Sequence, residues 1–170
     1  SITVDKSDNE NIEFINEKAS AGYLNSYSDF EYIEKLPRFQ LPFLSSSGTH
    51  RAFEIKGDSM LPLKPGSIVF GKYLESLHSI KDNKTYIILT KTEGIIYKRL
   101  SIQEDQKIKL ISDNLIYKPY YISSDDIIEL WESIGFFSYD LPKPNDSMNQ
   151  LKNVVENIQS DINTIKNKIN

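Results

Sequence analysis

The chain of 170 residues contains no cysteine. That absence removes a disulfide framework, thiol chemistry and cysteine-rich metal sites together. Histidine is scarce as well. Only His50 and His78 occur, and neither stands at metal-ligand spacing or in a recognisable triad setting. No metal and no cofactor is therefore expected. His50, following the Ser- and Gly-rich stretch 45–49, reads as a surface residue, and His78 as a structural one. No apolar run approaches the ~20 residues that span a bilayer, and no signal peptide is visible. The expectation is a cytoplasmic protein without a membrane partner. An excess of positive charge is missing too: 24 acidic residues against 20 basic ones leave a net charge of −4. Such a domain has no broad electrostatic footprint for nucleic acid, and Lys98-Arg99 and Lys107-Ile-Lys109 are too short to supply one.

What is present suffices for one domain plus an extension. Hydrophobic residues make up 39% of the chain, and ten tyrosines and eight phenylalanines can fill a core. Short β-rich runs recur at 12–15, 52–56, 67–73, 86–90, 95–100, 107–112 and 127–132, the last containing Trp131. Arg38 to Leu44 reads as a strand interrupted by proline, hence at an edge. Many short strands at close spacing predict a mainly β domain of coiled, barrel-like sheets. The aromatic stretch Tyr23, Tyr27, Phe30 and Tyr32 reads as half-buried packing.

One pair of residues carries chemistry. Ser59 lies in Gly57-Asp58-Ser59-Met60-Leu61-Pro62, where Pro62, Pro65 and Gly66 stiffen and turn the chain. With histidine so scarce, the available base is an amine, which can take a serine proton once burial lowers its pKa. Lys98 follows two β-rich runs joined through Glu93-Gly94, a hairpin pattern. Alternation along the second strand sets Ile96 and Lys98 on one face, where desolvation would act on the amine. On spacing alone, a lone serine and a lone lysine are usually ordinary surface residues.

These residues carry a resemblance. Gly57-Asp58-Ser59-Met60-x-Pro62 with Pro65-Gly66-Ser67-Ile68-Val69, then Tyr97-Lys98-Arg99-Leu100, resembles the LexA-type self-cleaving repressors with their S24 peptidase domain. Lys18-Ala19-Ser20-Ala21-Gly22-Tyr23-Leu24 is similar to the segment that this family cleaves, and Leu110 to Asn114 with Tyr117 to Tyr120 is similar to its late strand region. The resemblance implies the LexA/signal-peptidase-like fold, coiled β-sheets with a small barrel, over residues 12–140. It implies Ser59 as nucleophile, Lys98 as general base, and Ala21-Gly22 as the scissile bond in a cleavage loop near 18–24. It also implies a latent serine autopeptidase in the effector and oligomerisation part of a transcriptional repressor of the SOS type. The partners it implies are a second copy in a dimer-based assembly, an activated RecA-type filament, and operator DNA bound through an N-terminal domain. Polar residues 1–11, opening on Ser1, read as the linker from that domain. Two alternatives keep the fold: a catalytically silent dimerisation module, and a polymerase-accessory protein of the same family.

The end of the chain is a separate signal. After Pro142 and Pro144, Asn145 or Asp146 can cap a helix spanning 145–170. Met148, Leu151, Val155, Ile158, Ile162, Ile165 and Ile169 then recur in alternating steps of three and four, a heptad seam. Folding back onto the β domain would cover this stripe, but the prolines favour a projecting, self-associating helix. Isoleucine at both seam positions leans toward three or four strands, whereas the family resemblance implies a dimer.

Overall fold

The computed structural model describes residues 11–44, 48–103, 107–141 and 146–169. The proposed linker 1–11 thus falls almost wholly outside the described residues, as does Asn145. Two compact units divide the chain, residues 1–139 and 140–170.

The first unit is mainly β, in agreement with the sequence. Its strands are β1 (Ile12–Ile15), β2 (Arg38–Phe39), β3 (His50–Glu54), β4 (Ile68–Tyr73), β5 (Thr85–Thr90), β6 (Gly94–Ile102), β7 (Lys107–Ile111), β8 (Tyr120–Ser123) and β9 (Ile127–Phe137). They form one mixed sheet in the order β2-β1-β3-β4-β9-β5-β6-β7-β8, which stays open rather than closing on itself. The β1–β3 pair is parallel and the other neighbours are antiparallel. Of the expected strand from Arg38 to Leu44 only Arg38–Phe39 pairs, as β2 at one edge of the sheet, and Pro42 falls in the turn that follows.

Both faces of the central strands are covered. Along β5, Ile87 and Leu89 join Phe53, Val69 and Trp131 in one core cluster. Tyr86 and Ile88 join Leu100, Leu110 and Leu130 in another. This explains why Tyr86-Ile87-Ile88-Leu89 is continuously apolar instead of alternating. β5 and β6 pair through Thr90↔Gly94, and Gly94 takes the positive φ of +76° that the turn requires. His50 corrects the sequence reading: it is buried, because β3 lies inside the sheet between β1 and β4. His78 sits exposed on a 3-10 turn, Leu77–Ser79.

A second correction concerns residues 18–24. Instead of a loop they lie within α1 (Glu17–Ser26). Asn16 caps this helix, its side chain accepting from the Ala19 N–H, and Glu17 in the first turn complements the dipole. A short α2 (Phe30–Glu34) follows, capped by Asp29. Gly22 is where the two helices touch. A Cβ there would lie 2.6 Å from the Tyr32 Oη, which donates to the Ala19 carbonyl at 3.0 Å.

The second unit is α3 (Asp146–Ile169), with Lys166 and Lys168 in the last turn where the dipole favours cations.

Candidate active site

Ser59 stands in the turn between β3 and β4, and Lys98 in the middle of β6. The fold brings them together: Lys98 Nζ donates to Ser59 Oγ at 2.5 Å. The same amine donates to Ser112 Oγ at 3.1 Å, and its charge lies 6.0 Å from the centre of the Tyr117 ring. Lys98 is 8% exposed and Ser112 5%, so the amine is held in the sheet interior by hydroxyls. Burial pushes the Lys98 ammonium below the usual lysine range, while the carboxylate of Glu93 works against that shift.

The geometry of the serine turn has its own supports. Leu61 N–H donates to the Asp58 carbonyl and Leu63 N–H to that of Met60. Met60 is buried, and its sulfur accepts from the Asp113 N–H at 3.4 Å. Asn114 grips the turn twice: its N–H donates to the Ser59 carbonyl at 3.0 Å and its amide to the Asp58 carbonyl at 3.1 Å. Tyr117 OH donates to the Asp58 carboxylate at 2.5 Å. Ser112 to Tyr117 therefore clamp both members of the pair. Arg99, on the opposite face of β6 from Lys98, forms a two-pronged pair with Asp113 at 2.5 and 3.0 Å, fixing this clamp to the strand. The sequence motif Leu110 to Asn114 does not by itself mark Ser112.

Above the pair lies a cleft of about 400 Å³. Helix α1 contributes Ser20, Ala21 and Leu24 to its wall, and Ile95 and Tyr97 continue the lining beside Ser59 and Lys98. Ala21 thus faces the cleft, whereas Gly22 packs on Tyr32. The bond between them is helical, and the Ala21 carbonyl accepts from the Asn25 side chain at 3.1 Å. A bond under attack by Ser59 would have to be extended, with its carbonyl turned to the hydroxyl. In this conformation α1 borders Ser59 without presenting that bond to it.

Sequence reasoning missed what holds α1 down. Tyr23 is 0% exposed and reaches through the first core cluster into a buried polar network. Its hydroxyl donates to the Glu129 carboxylate at 2.5 Å and accepts from the Arg51 guanidinium. Glu129 also accepts from the Trp131 indole at 3.0 Å. Arg51 lies 3.7 Å from both Glu13 and Glu129 and stacks over the Tyr23 and Trp131 rings. Burial, reinforced by Glu129, pushes the Tyr23 hydroxyl far up, so it stays neutral. No local pattern announces these contacts. A single available signal was Asn16 ahead of Glu17-Lys18-Ala19, a helix start.

Among the described residues no group of three or more histidine, aspartate or glutamate side chains could hold a metal ion, and no helix is long and apolar enough to cross a membrane. No curated protein matches the chain. Residues 13–135, however, match the family described as Peptidase S24-like, a span that contains the serine turn, the lysine strand and the Ser112 clamp. A buried lysine hydrogen-bonded to a turn serine is what that match leads one to look for, and the chain belongs to the Peptidase S24-like family.

Proposed function

We propose that this chain is the effector and self-association part of a LexA-like transcriptional repressor acting in the cytoplasm, with a latent Ser59/Lys98 autopeptidase directed at Ala21-Gly22. The observation that carries the reading is the 2.5 Å approach of Lys98 Nζ to Ser59 Oγ in a buried setting of hydroxyls. Once neutral, Lys98 accepts the Ser59 proton along that same line, and the oxygen attacks the Ala21 carbonyl carbon. The proton then passes from Lys98 to the departing Gly22 nitrogen, leaving an ester on Ser59 that water hydrolyses. The turn's own hydrogen bonds use the N–H groups of Leu61 and Leu63, so those of Ser59 and Met60 are the candidate donors to the oxyanion.

Cleavage then requires α1 to open and the Tyr23 hydroxyl to leave Glu129 and Arg51. That is the bistable element on which an activated RecA-type filament would act, by favouring the extended form. Scission separates an N-terminal DNA-binding domain from the dimeriser, and operator affinity falls because the two halves no longer share an effective concentration. The test is to follow intact mass at neutral and alkaline pH for the chain, Ser59→Ala and Lys98→Ala. Fragments ending at Ala21 and starting at Gly22, growing with pH and absent from both variants, are expected.

The second reading, a catalytically silent interaction module, draws on the helical state of Ala21-Gly22 and its Tyr23 anchor. An intact chain under every condition, with the activated filament included, would favour it.

A further inference from the structure

The seam of α3 is solvent-exposed. Met148, Leu151, Val155, Ile158, Ile162 and Ile165 are each 46–62% exposed. Apart from Val154, the rest of the helix is built of Asn, Gln, Ser and Thr with a few charges of both signs. A basic polar face, which a helix lying on a membrane surface would carry, is therefore missing. In heptad terms Met148, Val155 and Ile162 take the a positions, and Leu151, Ile158 and Ile165 the d positions. Every one of these is apolar, so the stripe matches another apolar stripe of the same length.

The flanking charges choose the orientation. Asp161 falls at g and Lys166 at the following e. In a parallel pair, g of one helix faces the next e of its partner, so Asp161 meets Lys166 of the other copy on both sides of the seam. No other g-to-e position sets two charges against each other: Ser147 falls against Lys152 and Val154 against Gln159. In antiparallel pairings g faces g and e faces e. With a packed against d, one register puts Asp161 against Val154 and Lys152 against Gln159. The next register puts Asp161 against Asp161 and Lys152 against Lys166. Neither makes an attractive pair, and the second makes only repulsive charge contacts. From the apolar seam and this charge placement, we infer that α3 is a parallel, in-register coiled coil with a further copy of this chain. The inference rests on the reading of the chain as a self-associating module and adds the element, the orientation and the register.

The absence of cysteine makes the test clean. Full-length Ile165→Cys, oxidised with a glutathione buffer, is expected to form a disulfide-linked dimer, because d meets d in a parallel seam. A mixture of Met148→Cys and Ile165→Cys chains is expected to give no mixed dimer. Accumulation of the mixed species would establish the antiparallel form and overturn the inference. A chain that sediments as a dimer while Ile165→Cys stays uncrosslinked would also overturn it, leaving the module reading intact through another surface. A chain monomeric at all concentrations would overturn both. Asp161→Lys should weaken association about ten-fold, and Asp161→Lys with Lys166→Asp should restore it. An unchanged association constant in Asp161→Lys would refute the assigned register, since a merely structural role for Asp161 would not be rescued by the swap.

Discussion

Two cations are buried in this sheet, and their surroundings are opposite. Arg51 on β3 sits between the carboxylates of Glu13 and Glu129, each 3.7 Å away, and beneath two aromatic rings. Lys98 on β6 sits between the hydroxyls of Ser59 and Ser112, with the nearest influential carboxylate, Glu93, only partly offsetting burial. Carboxylates compensate a buried charge, so Arg51 remains a fixed cation that fastens α1 through Tyr23. Hydroxyls can serve either protonation state of an amine, accepting from the ammonium or donating to the neutral form. Burial alone therefore does not make a base. The choice of neighbours separates a fixed cation from an amine that can change its protonation state.

The largest effect is expected where the compensation is removed. Arg51→Ala leaves Glu13 and Glu129 buried without their cation and should cost about 3–5 kcal/mol, read as a lowered urea midpoint. Tyr23→Phe keeps the ring but removes the hydroxyl that links Arg51 and Glu129. A loss of about 1–3 kcal/mol is expected, with faster hydrogen exchange over α1 and, where autocleavage occurs, faster scission. Lys98→Met should contrast with both. It removes a charge that Glu93 offsets only in part, so stability is expected to stay within about 1 kcal/mol of the parent while any autocleavage disappears. A fall as deep as that of Arg51→Ala would erase the distinction between the two cations.

pH sharpens the same contrast. The folded-state pKa of Lys98 is lowered below its unfolded value, so between the two the unfolded chain binds more protons. Stability then rises with pH across that window and is lost as pH falls through it. Urea midpoints of the parent should therefore climb relative to Lys98→Met as pH approaches the ordinary lysine range, and any autocleavage should climb with them. The smallest effect is expected at Gly22→Ala. The new Cβ pushes the Tyr32 hydroxyl from its bond to Ala19, while alanine favours the helix by about 1 kcal/mol. The two nearly cancel, and a thermal midpoint close to the parent's is the check.

Legibility from sequence followed the same division. The strands and the Ser59/Lys98 pair could be read because alternation, hairpin spacing and a short motif are local or family-borne. The neighbourhood of Arg51 could not, since Tyr23 and Glu129 are 106 residues apart and meet only through the sheet order. His50 was misjudged for the same reason: position next to a polar stretch says nothing about which strand lies outside it. Residues 18–24 read as a loop only through the family resemblance of Ala21-Gly22 to a cleavable bond, whereas they form helix. Asn16 and the two alanines argue for that helix.

The strand order has a consequence for the time course of synthesis. The ladder that frames Ser59, β3 with β4, and the ladder that carries Lys98, β5 with β6, are joined only by β9, the last strand of the unit. Before residue 127 is made, the chain can link the serine hairpin and the lysine hairpin only through the clamp of residues 112–117, not through a shared strand. The continuous ladder beneath Ser59 and Lys98 is completed only with the addition of Ile127–Phe137. A late-arriving strand thus acts as a keystone, closing the one sheet on which Ser59 and Lys98 meet.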